Sequence, residues 1–293
     1  MKSLQKELKQ YAHNAGGSYK TVHDRAAMAD RLARTLAQMN IQIRHVEHLK
    51  TRHIKNYIQL RQQQGISTRT LHNEMSMVRS ILKQAGRERL SDSPMLTNQA
   101  LGLSGVSRAG TKEAIPEDKF QRILSLAGQK DKGLAAALQL SRLLGLRSQE
   151  AVQCAQSLKT WANALDKGAD KLAVVFGTKG GRPRMTTVIY RDAAAKAVHQ
   201  ALEIAKTQNG RLIDTPNLKQ AMSYWRNQTT ALGLTGKYSP HSIRYAWAQD
   251  AMAHYLQQGF SQKEALALTS MDLGHGDGRG RYVERVYGLN GEE

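Results

Sequence analysis

The chain has 293 residues, 40% hydrophobic and 23% charged, which suits two globular domains and excludes a disordered chain. Its 43 Lys and Arg against 24 Asp and Glu leave +19, the balance of a protein that meets a polyanion, most commonly nucleic acid. No apolar run approaches the ~18 residues of a membrane span, and the opening MKSLQKELKQYAHNAGG lacks the apolar core of a secretory signal. A lone cysteine, Cys154, excludes an internal disulfide and a cysteine zinc cluster, so a reducing cytosol is expected.

The charge is not a detachable tail, because residues 1–110 carry +11 and residues 111–293 carry +8. In chain order, residues 21–39 predict a helix opened by a Thr21-x-x-Asp24 box, with Met28, Leu32 and Leu36 on its apolar face. Residues 51–64 follow, with Ile54, Tyr57 and Ile58 on one side and Gly65 as the stop. Ser67 reads as the cap of a third helix that buries Leu71, Met75, Val78 and Leu82 and ends at Gly86. The polar faces carry Arg52, Lys55, Arg61, Arg69, Arg79 and Lys83, suited to a phosphate backbone. These residues make a basic helical domain over 1–102, and the Ser-, Gly- and Thr-rich stretch 103–112 reads as a linker.

The second domain, 113–293, opens on a helix with Pro116 in its first turn and continues through DKGLAAALQLSRLLG. Two β-branched runs, 172–176 and 185–190, flank the turn Lys-Gly-Gly-Arg-Pro-Arg and predict a β-hairpin. The rest is helical. The fold class is therefore mainly α with a small β-hairpin sheet, and Trp161, Trp225 and Trp247, with Tyr245, are packing residues.

Four short stretches carry reactive side chains. In GLRSQE, Arg147 stands where one helix ends and another begins, with Glu150 one turn on; such an arginine can reach a phosphate through two donors or merely pair with its glutamate. The hairpin tip offers Lys179, Arg182 and Arg184 to a DNA backbone, with Lys179 also able to protonate a leaving oxygen. HSIR places His241 and Arg244 on one helix face. LGHG supplies His275, followed by Tyr282 and Tyr287.

In this order the four stretches resemble the catalytic domain of the tyrosine recombinases, the phage-integrase family. The resemblance covers nearly the whole chain. It implies an N-terminal helical, SAM-like core-binding domain followed by an α+β catalytic domain. It also implies site-specific recombination that cuts and rejoins DNA through a 3′-phosphotyrosine, with no cofactor and no metal ion, since fixed cations stand in for magnesium.

By the same resemblance Arg147 and Arg244 clamp the phosphate, His275 donates to it, His241 handles the tyrosine proton and Lys179 is the general acid, with Glu150 in support. Arg52, Lys55, Arg69, Arg79, Lys83, Arg182 and Arg184 are expected to hold DNA. The family's usual nucleophile spacing falls on Glu284, which cannot serve; ERVY points to Tyr287, with Tyr282 as the alternative. The implied partners are double-stranded DNA, further copies of the chain (dimer to tetramer on DNA) and accessory DNA-bending proteins, in a bacterial cytoplasm. A regulator that kept the clamp and lost the chemistry, or a Xer-type resolvase, are the competing readings.

Overall fold

The structure, a computed structural model, describes residues 2–107 and 109–288. The chain divides into two units, Met1–Ser107 and Arg108–Glu293.

The first unit is helical: α1 (Lys2–Asn14), α2 (Tyr19–Gln38), α3 (Thr51–Gln63), α4 (Thr68–Gln84) and the short α5 (Glu88–Ser91). α3 and α4 form where their apolar period and caps predict, with Gly65 at φ +72 after α3 and the Ser67 hydroxyl accepting from the Thr70 amide. α2 starts two residues before the expected Thr21. Its cap is Ser18, whose hydroxyl takes the Thr21 amide, while Asp24 pairs with Lys20 at 2.6 Å instead of closing a box.

The apolar stripes meet in a core built around Leu8, Leu32, Ile54, Ile58, Met75 and Val78. One carboxylate is buried with them. Glu74 accepts from Arg31 Nη1 at 2.7 Å, Arg61 Nη2 at 2.8 Å and the Tyr57 hydroxyl at 2.7 Å. Burial raises its pKa, but Arg61, Tyr57 and Arg31 together bring it below the usual carboxylate range.

In the second unit Pro116 stands just before α6 (Glu117–Lys130), at the cap rather than inside the first turn. Asp131 caps α7 (Lys132–Leu144), accepting from the Gly133 and Leu134 amides at 2.8 and 3.1 Å. Gly145 ends α7 in the left-handed region, and a Cβ there would lie 2.6 Å from the Trp247 ring. After α8 (Ser148–Gln153) and α9 (Leu158–Asp166) comes the hairpin, β1 (Lys171–Val174) antiparallel to β2 (Arg184–Thr187). Both strands are shorter than the runs predicted. Val175 and Phe176 are exposed beyond the last ladder pair, Val174 with Arg184, and Tyr190 caps α10 (Arg191–Thr207).

The remaining helices are α11 (Leu218–Ala231), α12 (His241–Gln257), α13 (Gln262–Asp272) and α14 (Gly280–Tyr287). The main core surrounds α7, and a second cluster joins Trp247, Tyr255, Leu273, Val283 and Tyr287. Trp161, Trp225, Trp247 and Tyr245 are all buried, as expected of packing residues. Among the described residues no helix is long and apolar enough to cross a membrane.

Replacing Glu74 by Ala strands Tyr57 and two arginines, of which Arg31 stays half-exposed and partly solvated. The expected cost is about 2–4 kcal/mol, towards the lower part of the range for breaking a buried pair. Urea unfolding of the full chain, with Glu74→Gln as the milder comparison, measures it.

Candidate active site

Glu150 is the third residue of α8 and is almost wholly buried. One carboxylate oxygen accepts from the Arg147 amide at 2.8 Å and from Arg184 Nη2 at 2.8 Å; the other accepts from Arg147 Nη1 at 2.6 Å. Arg244 Nη1 lies 3.8 Å away. Burial pushes Glu150 up, but the charge of Arg184 first, then those of Arg244 and Arg147, overcome it and hold the group at about 2.

Further guanidinium donors of the three arginines land on backbone carbonyls at helix ends, where such groups lack intrahelical partners. The Gly145 carbonyl, after α7, accepts from Arg184 Nη2 at 3.0 Å and from Arg244. The Leu273 carbonyl, after α13, accepts from Arg147 Nη2 at 2.8 Å and from Arg244, and the Asp272 carbonyl accepts from Arg184. Both helix ends point their negative poles at cations. Arg244 is fully buried, which pushes its pKa down to about 10.

Tyr287, the last residue of α14, is 2% exposed. Its hydroxyl oxygen lies 3.3 Å from Arg244 Nε and 3.1 Å from His275 Nε2, and its ring packs on Tyr245 with centroids 4.6 Å apart. Tyr282 is 43% exposed and turns its ring towards the edge of His275. Of the two tyrosines, the fold brings Tyr287 to the arginines.

His241 opens α12 and packs its ring 5.5 Å from Tyr245 and 6.2 Å from Tyr287. Burial first, then the charges of Arg244, Arg147 and Lys112, bring it down to about 4. His275 falls to about 3 through burial and then Arg244, Arg147, His241 and Lys179. Both imidazoles are therefore neutral at neutral pH.

In front of this cluster lies an open cleft of about 570 Å³ lined by Arg147, Lys179, Arg182, Arg184, Met271, His275 and Asp277. Lys179 and Arg182 are exposed on the loop between the strands. Arg184 departs from expectation: it is a strand residue, 6% exposed, and its guanidinium is spent on Glu150 and two carbonyls. It builds the site from behind and does not stand free for DNA.

In the first unit Arg52, Arg69 and Lys83 are exposed and Lys55 is half-buried. Lys83 pairs with Asp92 at 3.1 Å. Arg79 also departs from expectation, being half-buried with one nitrogen donating to the Leu96 carbonyl at 2.7 Å and to Asn98 at 2.9 Å. It braces the chain after α5.

Two contributors, Asp272 and Tyr255, carried no sequence signal. Asp272, 1% exposed, accepts from the Tyr255 hydroxyl at 2.5 Å and faces Lys171 Nζ at 3.5 Å, which fixes the segment whose carbonyls hold the arginines. Those partners stand 17 and 101 residues away along the chain. The inward face of Arg184 was readable from strand alternation, since it shares a side with buried Thr186 and opposes exposed Met185.

Residues 102–250 match the family model described as Integrase, and residues 1–91 match Phage integrase, N-terminal. Among solved structures the chain is similar to the Tn1549 transposon integrase bound to transposon right-end DNA, at 14% identity and TM-score 0.62, covering 97% of this chain and 94% of that one. It is also similar to a lambda integrase tetramer bound to a Holliday junction (18%, TM-score 0.61, covering 99% and 79%). A lambda integrase dimer on a COC′ core site is likewise similar (17%, TM-score 0.61, covering 100% and 79%). At these identities the structural likeness shows the fold alone. No curated protein matches the chain.

The depressed histidines set a pH dependence. Between their unfolded value near 6.5 and their folded values of about 4 and 3, the unfolded chain binds protons that the native site refuses. Their contribution to stability is full above pH 6.5 and declines as pH falls towards 4. Denaturation midpoints measured from pH 7 to 4.5 should fall less steeply in the His241→Gln, His275→Gln double variant than in the wild type.

Proposed function

The chain belongs to the integrase family, that of the tyrosine recombinases, and from that premise we propose that it recombines double-stranded DNA at specific sites through a 3′-phosphotyrosine on Tyr287. The observation that carries this reading is the Tyr287 hydroxyl within 3.3 Å of Arg244 and 3.1 Å of His275, behind a cleft that also presents Arg147 and Lys179.

A phosphodiester entering the cleft meets Arg147 and His275, whose donors suit the crowded, negatively charged state of phosphoryl transfer. The Tyr287 oxygen attacks phosphorus, the bond to the 5′-oxygen breaks, and Lys179 gives that oxygen a proton. Arg244 donates from Nε towards the attacking oxygen and holds it in place. His275 takes the phenolic proton directly and His241 assists. Without DNA, burial first and then the surrounding cations make His275 a poor proton acceptor; a negative phosphate would offset the cations' share and raise its proton affinity. Nucleophile activation is thereby tied to substrate binding. Attack of a free 5′-hydroxyl on the phosphotyrosine reverses the steps and rejoins the strand. Fixed cations take the place that a metal ion fills in other phosphoryl transfers.

Arg52, Lys55, Arg69 and Lys83 on the first unit and Arg182 on the second serve as backbone contacts, giving salt-dependent binding. The dimer and tetramer seen for the similar lambda integrase support the same assembly here, on a core site and at a junction. Accessory DNA-bending proteins and a bacterial cytoplasm complete the reading. A regulator without chemistry is not favoured, and the contact of Tyr287 with Arg244 and His275 supports the enzyme reading.

A suicide duplex, nicked near the crossover and drawn from DNA beside the gene, should trap an SDS-resistant adduct with wild-type protein. Tyr287→Phe should abolish it and Tyr282→Phe should retain it, while Arg147→Ala should slow it by about 10²–10³-fold. Loss with Tyr282→Phe alone would overturn the assignment of the nucleophile.

A further inference from the structure

We infer that residues 110–115 form a strap that sets the position of Tyr287, and that Gly110 is a positioning residue for DNA cleavage; the inference rests on Tyr287 being the nucleophile. The Gly110 amide donates to the Arg285 carbonyl at 3.4 Å, within the last turn of α14. A Cβ built on Gly110 would lie 1.9 Å from the Val286 carbonyl oxygen and 2.6 Å from the Tyr245 hydroxyl. Gly110 is outside the left-handed region, so space rather than backbone conformation requires glycine here. Its neighbour is backbone one residue before Tyr287, which cannot swing aside as a side-chain tip would.

The strap then runs to the start of α12. Lys112 Nζ donates to the Gly236 carbonyl at 2.7 Å, and the Glu113 amide donates to the Lys237 carbonyl at 3.2 Å. The Glu113 carboxylate pairs with Lys237 at 2.8 Å, and the Ile115 amide donates to the Ser242 carbonyl at 3.3 Å. These ties join the helix that carries Tyr287 to the one that carries His241 and Arg244. α14 has only eight residues, so its placement depends on what it touches. A side chain at position 110 must move α14 by roughly 1 Å, a displacement able to reduce the rate about 10²-fold while the phosphate clamp stays intact.

The test uses the full chain, the nicked duplex and hydrogen peroxide as a substitute nucleophile. Hydroperoxide attacks the same phosphorus, the bond to the 5′-oxygen breaks, and Lys179 supplies the proton, so cleavage reports the clamp without the tyrosine. Gly110→Ala should form adduct about 10²-fold more slowly at unchanged DNA affinity, yet cleave with peroxide as fast as Tyr287→Phe does. The paired Lys112→Met, Glu113→Gln variant loosens the strap without inserting bulk and should slow adduct formation several-fold. Wild-type adduct rates in both variants would overturn the inference, as would a Gly110→Ala protein that also fails with peroxide, since the damage would then extend beyond the tyrosine. Absence of an adduct with wild-type protein would instead bring down the reading of Tyr287 on which the strap depends.

Discussion

Glu150 is a single buried carboxylate facing Arg147, Arg184 and Arg244, and the arrangement of the catalytic unit follows from how that imbalance is resolved. An isolated charge in an apolar interior is expensive, and three guanidinium groups around one carboxylate leave positive charge to be accommodated. The fold accommodates it with the Gly145, Asp272 and Leu273 carbonyls, which the ends of α7 and α13 leave without helical partners. Each arginine is held by two or more acceptors, and the guanidinium groups are fixed before any substrate arrives. Such preorganisation is what makes hydrogen-bond donors effective against charge that develops during reaction.

The site thus remains short of negative charge, and that deficit has consequences on both sides of the arginines. Towards the cleft it favours a phosphodiester. Towards the interior it adds to burial, the larger cause, in depressing His241 and His275, so that a neutral His275 meets the tyrosine hydroxyl and a neutral His241 packs near its ring. On the proposed assignment of Tyr287 as nucleophile, a proton acceptor that is weak until an anion enters keeps the unliganded site quiet. Tyr287 itself belongs to the small core of Trp247, Leu273 and Val283, so the proposed nucleophile is also a packing residue.

The first unit repeats the buried-carboxylate device for a different end. Glu74 gathers Arg31, Arg61 and Tyr57 beneath the helices, leaving Arg52, Arg69 and Lys83 at the surface. Basic side chains in a chain of +19 therefore divide in two: some stand at the outer surface, where the proposal sets DNA, and some are interior struts. Arg79 and Arg184 belong with the struts.

The sequence by itself determined α2, α3 and α4 of the first unit, the place of the hairpin and the buried tryptophans, and it presented Arg147, Lys179, His241, Arg244 and His275 in the order on which the family resemblance rests. It could do so because helical period, caps and turn residues act over a few positions, and because the order of short motifs survives where spacing drifts. Only the tertiary structure decided which tyrosine meets the arginines, which basic residues point inward and that Asp272 and Tyr255 brace the site. Those outcomes depend on contacts between residues far apart in the chain. Charge count is the same for Arg182 on the exposed loop and Arg184 in the strand, but a two-residue step exchanges solvent for Glu150. Gly110 belongs to the same class: in the sequence it is one more linker glycine, and its requirement appears only when the Val286 carbonyl is folded against it.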